Sequence, residues 1–276
     1  MSETAGTGNP ELAKVLAEAA KTRQNYENDE KQKSFNLLLL GESGGGKTTF
    51  ADSCRQPVHI DSFDPGGTKG LRKSIKEGRI IVDSRFESEN PITPSAYKLW
   101  KEVFDHRKRI GYFDHIGTYF LDSSTMWSYA IMNWVLQKDG IAGQAPRFTK
   151  DYGPQKIEIR NRLQLCLDLP CDFVLTGHLE SEKDEVEGKM KYKFMTTGKG
   201  DITIPLLFDE IWTMLAESKG REVSYQLLTK KNGAYPGATR IGRDKFDTFE
   251  TPDMKLLLKK AGWPCNDKPL LKAHTQ

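Results

Sequence analysis

Short apolar runs recur along the chain and alternate with longer stretches of helical periodicity. The first run, FNLLLL at residues 35–40, is followed by a glycine and is typical of a parallel strand buried on both faces. Alternation of such strands with helices predicts an α/β fold in which helices flank a mostly parallel sheet. The further strand candidates are residues 57–61, 79–83, 116–122, 171–178, 209–214 and 223–229, and the helix candidates are residues 48–54, 94–108, 124–138 and 153–169.

The two ends of the chain differ from this core in pattern. Near the start, Pro10 opens a helix with a narrow apolar stripe, and a polar connector follows at residues 22–34. We therefore expect residues 1–34 to form a short helical appendage that docks on the core or on a neighbouring subunit. Residues 35–250 are the predicted core, and residues 251–276 are predicted to be a short helix and a frayed tail.

Net charge, cysteine spacing and the length of the apolar runs exclude several kinds of functional site. The chain has 276 residues, with 41 Lys and Arg against 38 Asp and Glu, a net charge of +3 and a mean hydropathy of −0.60. A nucleic-acid site must therefore be a local patch. The four cysteines form no C-x-x-C pair, which argues against a zinc centre and for reduced thiols. No apolar run approaches the roughly 20 residues of a membrane span, and no apolar signal core is visible, so we expect a cytoplasmic protein without a membrane partner.

The segment GESGGGKT, residues 41–48, matches the phosphate-binding pattern G-x-x-x-x-G-K-[ST] and stands between a predicted strand and a predicted helix. Its consecutive glycines let successive backbone N–H groups point at one anion. Lys47 is placed to neutralise the β and γ phosphates of a nucleotide, and the hydroxyl of Thr48 is a candidate ligand for Mg²⁺. The predicted nucleotide-binding residues are Gly41, Glu42, Ser43, Gly44, Gly45, Gly46, Lys47, Thr48 and Thr49.

A P-loop enzyme also needs a carboxylate near the metal, normally at the end of a neighbouring strand. IGTYFLDSS, residues 116–124, offers Asp122 after an apolar run, at the carboxyl edge where ligands collect in open α/β folds. We predict that Asp122 joins Thr48 at the metal and that Ser123 supplies a further polar contact. The alternative is that Asp122 caps the helix that begins near Ser124, and the two roles are compatible.

Two other strand ends carry polar residues. PVHIDSFDPGGT, residues 57–68, places Asp61 and Asp64 just after a strand and before a turn that folds the chain back. Asp64 is the preferred candidate to polarise an attacking water and Asp61 the candidate to hold the loop, although either acid is open as the catalytic one. A turn-forming role is the alternative for Asp64. His178, which ends the strand CDFVLTGH, is a candidate to hydrogen-bond the γ phosphate or a water, with packing or solvent exposure as the alternative.

The order of these elements resembles the core of RecA/RadA-type P-loop ATPases, and most closely the compact bacteriophage ATPases that act in single-strand annealing and recombination. The motifs GESGGGKT and YFLDSS carry the resemblance most specifically, and TGH and FDEIWTM carry it less so. The resemblance implies a RecA-like P-loop NTPase fold with ATP and Mg²⁺ at Lys47, Thr48 and Asp122. It also implies a catalytic acid near Asp64 and a sensor at His178.

The resemblance covers residues 35–249 and includes departures. RecA-type recombinases usually carry a catalytic glutamate within an acid-Thr-Glu-Gly run, whereas this chain reads DSFDPGG, so slow hydrolysis or a different base is an open alternative. The N-terminal domain and the paired basic arm of full-length recombinases are also missing from the pattern. Strand exchange is therefore not implied.

Beyond His178 the chain alternates lysines with apolar or aromatic residues in KMKYKF, residues 189–194, which predicts a β-ribbon with one basic and one apolar-aromatic face. In RecA-like proteins the loop after the sensor strand faces DNA, so the resemblance implies single-stranded DNA here, with lysines on phosphates and an aromatic ring on a base. A solvated hairpin is the alternative, because the preceding arm is acidic. The DNA-binding candidates are Lys189, Lys191, Tyr192, Lys193 and Lys199.

A second basic segment lies at residues 230–245 and is rich in glycine and proline. In RecA-like assemblies the ATP sites lie between subunits and are completed by a cation from the neighbour. The resemblance therefore implies a homo-oligomer in which Arg240 or Arg243 acts as an arginine finger. A solvated basic loop is the alternative.

Together these inferences predict a Mg-ATP-dependent ATPase that couples its nucleotide state to single-stranded DNA binding, annealing or recombination. One alternative is a nucleotide-gated interaction protein, similar to a helicase loader, whose hydrolysis is slow, and the displaced acid at Asp64 favours it. Another is a small-molecule P-loop kinase, for which the insert at residues 137–152, with Arg147 and Lys150, is a candidate lid.

Overall fold

The structure, a computed structural model, describes residues 10–29, 34–183, 185, 188–197, 199–220 and 222–271. Short 3₁₀ segments accompany the regular elements at Thr48–Ser53, Gly67–Leu71, Tyr112–His115 and Pro205–Leu207. The helices are α1 (Pro10–Asn28), α2 (Arg72–Lys76), α3 (Ala96–Arg109), α4 (Ser124–Lys138), α5 (Tyr152–Leu167), α6 (Gly200–Thr203) and α7 (Met254–Ala261). The strands are β1 (Asn36–Gly41), β2 (Val58–Ser62), β3 (Ile80–Asp83), β4 (Thr118–Asp122), β5 (Asp172–Lys183), β6 (Met190–Phe194), β7 (Glu210–Lys219), β8 (Glu222–Leu228), β9 (Ala238–Thr239) and β10 (Phe249–Glu250).

The strands form a mixed sheet in the order β10-β8-β7-β1-β5-β4-β2-β3, to which β6 adds along β5 and β9 along β7. Strands β7, β1, β5, β4, β2 and β3 are mutually parallel, whereas β8 pairs antiparallel with both β7 and β10. The predicted α/β fold with a mostly parallel sheet is confirmed. Strand β1 lies between β5 and β7, and both of these strands extend beyond its last residue. The loop that follows β1 is therefore flanked by the ends of β5 and β7.

Both faces of the sheet are covered, which explains the unbroken apolar run of β1. Leu38 and Leu40 pack into a core shared with α3, α4 and α5, to which α3 and α4 supply large aromatic side chains. Leu37 and Leu39 point to the other face, into a core shared with Phe50 and with α7. The predicted pattern of a strand buried on two sides is therefore confirmed.

The N-terminal helix α1 has no buried residue, and the predicted apolar stripe, including Leu12 and Leu16, is exposed. Residues 1–9 and 30–33 of the predicted appendage lie outside the described residues. In the part of the chain that the structure describes, no helix combines the length and apolar character needed to cross a membrane.

The C-terminal segment is tied to the core more closely than predicted. Helix α7 begins with the carboxylate of Asp253 accepting a hydrogen bond from the backbone N–H of Leu256 at 3.1 Å, and it packs on the sheet through residues such as Leu258. Beyond it, Asp267 accepts a hydrogen bond from the N–H of Gln56 at 2.7 Å, and the N–H of Lys268 donates to the Gln56 carbonyl at 2.8 Å. The expectation of a frayed tail is therefore wrong up to this point, and residues 272–276 lie outside the described residues.

Candidate functional site

The phosphate-binding segment lies where the sequence pattern predicts it, directly after β1. Gly41 ends the strand, paired with His178 of β5 on one side and Met214 of β7 on the other. A Cβ at Gly41 would lie 2.9 Å from the carbonyl oxygen of Met214, so this position requires glycine. Gly44 and Gly46 have φ of +73° and +88°, a left-handed region that L side chains disfavour. The glycines thus let the loop curl tightly beside β7.

The chain then enters the 3₁₀ segment Thr48–Ser53 in place of the predicted helix. The hydroxyl of Thr49 donates to the carbonyl of Gly46 at 2.8 Å, and a side chain that bonds the backbone three residues earlier favours such a tight first turn. The tight turn therefore keeps the side chains of Lys47 and Thr48 beside the phosphate-binding loop.

Lys47 is buried inside the loop that it is predicted to serve. Its Nζ donates to the carbonyl oxygens of Gly41 at 3.0 Å and Glu42 at 2.8 Å. Burial lowers the pKa of Lys47, and the nearby carboxylates of Asp122, Asp64 and Glu42 oppose that shift. An ammonium in this position is poised to exchange carbonyl oxygens for phosphate oxygens.

Thr48 and Asp122 meet across the sheet edge, as predicted. The Thr48 hydroxyl donates to Asp122 Oδ2 at 2.7 Å, and the Thr176 hydroxyl of β5 donates to Asp122 Oδ1 at 2.5 Å. Helix α4 has Ser123 at its N-cap, so the Asp122 carboxylate is turned towards Thr48 and does not cap the helix. Burial raises the pKa of Asp122; hydrogen bonds from Thr176 and Thr48 oppose the shift, and Asp64 adds to it.

This donor set fits Mg²⁺. A hydroxyl and carboxylate oxygens are the ligands that Mg²⁺ prefers, and a buried carboxylate with a raised pKa gains from a nearby cation. In the described part of the chain no group of three or more His, Cys, Asp or Glu side chains forms a self-sufficient metal site. A nucleotide-bound Mg²⁺ takes few ligands from the protein, because phosphates and waters complete its shell. Thr48 and Asp122 are the residues that would hold it.

The loop after β2 folds over this pair and brings Asp64 into the site. The Ser123 hydroxyl donates to Asp64 Oδ1 at 2.7 Å, which confirms Ser123 as a polar contact of the site. Gly66 has φ of +71°, and a Cβ at Gly67 would lie 3.7 Å from Asp122 Oδ2 and 3.9 Å from Thr48 Oγ1. The Pro-Gly-Gly turn therefore closes on the metal candidates.

Glu87 holds this loop, a role that sequence reasoning missed. Its carboxylate accepts from the Ser62 hydroxyl at 2.7 Å and from the backbone N–H of Gly66 at 3.0 Å. Glu87 follows β3, and the loop of Asp64 follows β2. The pairing of β2 with β3 in the sheet brings these two segments together. The single sequence signal is that Glu87 is an acid shortly after a strand end.

Asp61 does not hold the loop, contrary to expectation, and the structure removes it as a catalytic candidate. It is fully buried, and it accepts hydrogen bonds from Tyr119 at 2.7 Å, Arg107 at 2.8 Å and Trp100 at 2.9 Å. His59 Nε2 lies 3.0 Å from the same carboxylate. Burial alone would raise the pKa of Asp61, but His59, Arg107 and Tyr119 together hold it below its ordinary value. Asp64 is therefore the remaining candidate of the two for the catalytic acid, and that role stays a prediction.

His178 lies beside Gly41 at the same sheet edge. Its Nδ1 is 3.1 Å from the Thr125 hydroxyl of α4, a partner that the sequence did not reveal. Burial lowers the pKa of His178, the charge of Lys47 lowers it further and Asp64 opposes both. A neutral imidazole close to Lys47 and Asp64 is suited to hydrogen bonding near a terminal phosphate.

The predicted β-ribbon is present, because β6 pairs antiparallel with the outer part of β5. Its basic face is partly neutralised: Lys193 Nζ lies 3.1 Å from the carboxylate of Glu182 and 3.6 Å from that of Glu180. The Tyr192 ring stacks on Tyr235, with centroids 4.2 Å apart and an interplanar angle of 7°. Lys189 precedes β6 and Lys191 lies on it, whereas Lys199 stands apart at the start of α6.

The two candidate arginine fingers lie away from the P-loop of their own chain. Arg240 follows β9, which pairs with the amino end of β7 at Glu210, opposite the edge that carries Gly41. Its Nη1 lies 3.5 Å from the carboxylate of Asp209, and Arg243 is exposed nearby. A role for either side chain at a nucleotide requires a second subunit and stays a prediction.

One family model matches the segment of the chain that carries this site. A family model described as an AAA domain matches residues 33–241, which include the P-loop, Asp64, Asp122 and His178. The chain belongs to the AAA domain family. The predicted assignment to the P-loop, nucleotide-binding ATPases is therefore confirmed at the level of this family.

Among solved structures, the AAA domain chain is similar to a KaiC-like protein from the hyperthermophilic archaeon Pyrococcus horikoshii. The alignment has 16% identity and a TM-score of 0.40, and it covers 75% of this chain and 83% of the other. No curated protein matches the chain.

Proposed function

We propose that this protein is a Mg-ATP-dependent ATPase that acts as a homo-oligomer and couples its nucleotide state to binding or annealing of single-stranded DNA. The observation that carries the ATPase role is the convergence of Lys47, Thr48, Asp122 and Asp64 around one curled loop at the sheet edge. Bound Mg²⁺ would neutralise phosphate charge and orient the leaving group.

The residues around the loop divide the work of hydrolysis. Lys47 would bind the terminal phosphates, and Asp64 would orient a water for in-line attack on the γ phosphorus and accept its proton. As the new P–O bond forms, the bond from phosphorus to the ADP oxygen breaks, and His178 would hydrogen-bond the terminal phosphate. Positioning and charge stabilisation account for the catalysis, without a covalent intermediate.

The link to DNA is supported by the continuity of β5. This strand runs from the site at His178 directly into the ribbon formed with β6. Tyr192 N–H also donates to the carbonyl of Ala234 at 2.8 Å, so the ribbon is attached to the loop that carries Tyr235. A shift of the strand end that follows nucleotide binding would therefore move the lysine-bearing ribbon.

The nucleotide-gated interaction protein is the second candidate, because the ion pairs of Lys193 and the stacked Tyr192 leave less of the ribbon for DNA. The kinase alternative is disfavoured. Arg147 of the candidate lid is paired with Asp139 and Asp151, and Lys150 Nζ lies 3.1 Å from Asp139, so these cations are held by their own insert.

One experiment separates these functions. Phosphate release from ATP is measured with and without single-stranded oligonucleotides, and sizing is done in the presence and absence of Mg-ATP. We expect DNA to raise the rate severalfold and nucleotide to favour an oligomer. A slow rate that ignores DNA would support the interaction protein, and a stable monomer in every nucleotide state would contradict the proposed assembly.

Replacing Asp64 with asparagine tests the catalytic acid. We expect the hydrolysis rate to fall about 100-fold, because a base that accepts a proton from water is lost, while ATP affinity stays within a fewfold of wild type. Asp105→Asn is the matched control, since Asp105 is half exposed and pairs with Arg162 away from the P-loop. An unchanged rate in Asp64→Asn would leave Asp64 with a turn-forming role only.

A further inference from the structure

The β7–β8 hairpin rises beside the P-loop and beyond it. Gly41, the last residue of β1, is paired with Met214, yet β7 continues for residues 215–219. At the usual rise of a strand, this extension projects about 17 Å past the edge of the parallel sheet. The hairpin therefore forms a two-stranded wall on one flank of the phosphate-binding loop.

One face of this wall is mostly apolar from its base to its tip. Residues directly opposite each other in an antiparallel pair share a face, and here the pairs are Met214 with Leu227, Ala216 with Tyr225 and Ser218 with Val223. At the base, Met214 and Leu227 are buried in the core that includes Phe50, just after the P-loop. Farther out, Tyr225 is 42% exposed and Val223 is 48% exposed. The same face thus leaves the core and opens to solvent above the loop.

The Tyr225 ring borders the phosphate cradle itself. A Cβ at Gly46 would lie 3.1 Å from both Cδ1 and Cε1 of Tyr225, so the ring edge rests against the glycine that precedes Lys47. The groups suited to the terminal phosphate, Asp122, Asp64 and His178, lie on the opposite flank, on the side of β5, β4 and β2. A nucleotide whose γ phosphate faces those groups directs its other end, the nucleoside, towards the hairpin.

We propose that the exposed face of the β7–β8 hairpin is the nucleobase subsite, with the Tyr225 ring stacking on the base and Val223 beside it. The inference rests on the proposed binding of a nucleoside triphosphate at the P-loop. Among the described residues that share this face, the hydrogen-bonding side-chain groups are the hydroxyls of Ser218 and of Tyr225 itself. Stacking holds any purine, and a wall with so few hydrogen-bonding groups does not read the base edge. The protein therefore accepts ATP and GTP with similar affinity.

Calorimetric titration of the full chain with Mg-ATP, Mg-GTP and magnesium tripolyphosphate tests this subsite. Wild type is expected to bind ATP and GTP within about tenfold of each other. Tyr225→Ala is expected to lower both affinities about 10- to 100-fold, the range expected for loss of one base–aromatic stack, while tripolyphosphate binding stays within about twofold. Tyr225→Phe should retain wild-type affinities, because the ring is kept.

The controls separate the possible failures. Tyr26→Ala, which removes an exposed tyrosine of α1, should bind every ligand like wild type, and thermal melts report whether each variant is folded. Unchanged ATP affinity in Tyr225→Ala would overturn the subsite, as would an equal loss for ATP and tripolyphosphate, because Tyr225 would then act by shaping the P-loop. Wild-type protein that binds none of the three ligands would refute the proposed nucleotide function itself.

Discussion

Replacing Lys47 with alanine is expected to reduce the ATPase rate at least about 100-fold, the scale seen when one preorganised charge-stabilising group is removed. The buried Nζ already occupies the centre of the loop, 2.8 Å from the carbonyl oxygen of Glu42. No other described lysine or arginine donates to the carbonyl oxygens of the P-loop, so the lost charge has no substitute in the same chain. The measurement is steady-state phosphate release at saturating Mg-ATP.

Lys73→Ala is the matched control for this prediction. Lys73 lies on the short helix α2, is exposed and makes no contribution to the loop, so its removal should leave turnover unchanged. Circular dichroism should show that both variants keep the fold. Wild-type turnover in Lys47→Ala would refute the assignment of residues 41–48 as the catalytic phosphate cradle.

Replacing Asp61 with alanine is expected to lower the free energy of unfolding by about 3–5 kcal/mol, because removal of one partner leaves buried polar groups without compensation. Arg107, Tyr119 and Trp100 all donate to this carboxylate, which has no solvent exposure. At about 2–4 °C per kcal/mol for a chain of this size, the melting temperature should fall by about 6–20 °C. Chemical denaturation at pH 7 measures the change directly.

Arg85→Ala is the control for Asp61→Ala. Arg85 pairs with Asp83 at the edge of the same network, but it is mostly exposed, so we expect a cost below about 1 kcal/mol. Asp61→Ala should keep the ATPase rate per folded molecule, because its carboxylate faces α3 and β4, not the P-loop. A large loss of turnover without loss of stability would instead place Asp61 in the chemistry.

The pKa of Asp61 sets the pH window for this comparison. Because the folded protein holds that pKa below its ordinary value, the stabilisation is present above the unfolded value, near about 4, and is lost as the pH falls towards the folded value. The stability difference between wild type and Asp61→Ala should therefore shrink below about pH 4. A constant difference across this range would show that Asp61 acts through packing alone.

The P-loop and two acids of the site can be predicted from the sequence, because their positions depend on neighbouring residues or on the end of a single strand. The P-loop binds phosphate with the backbone of adjacent residues, so the glycines and Lys47 predict a phosphate-binding loop when a strand precedes them. Asp122 was found because an acid that ends a buried parallel strand must lie at the edge where the P-loop also lies. Asp64 followed from the same rule together with the turn signal after it.

Other parts were decided by packing between distant segments. Asp61 and Asp64 are three positions apart and chemically alike, yet only the aromatic cluster of α3 and β4 shows that one is buried with four partners while the other faces the site. The candidate DNA ribbon was predicted from its period of two. Its stacking on Tyr235 required the loop of residues 230–237 to return to it.

By itself, the sequence determined the α/β alternation, the phosphate cradle and the acid at the end of β4, because each depends on periodicity or on a few adjacent residues. Only the tertiary structure decided that Glu87 clamps the loop of Asp64, that Asp61 is structural and that Tyr225 borders Gly46. The physical reason is that these contacts join segments far apart in the chain. Strand order and register bring such segments together, and neither can be predicted from one short segment of the sequence.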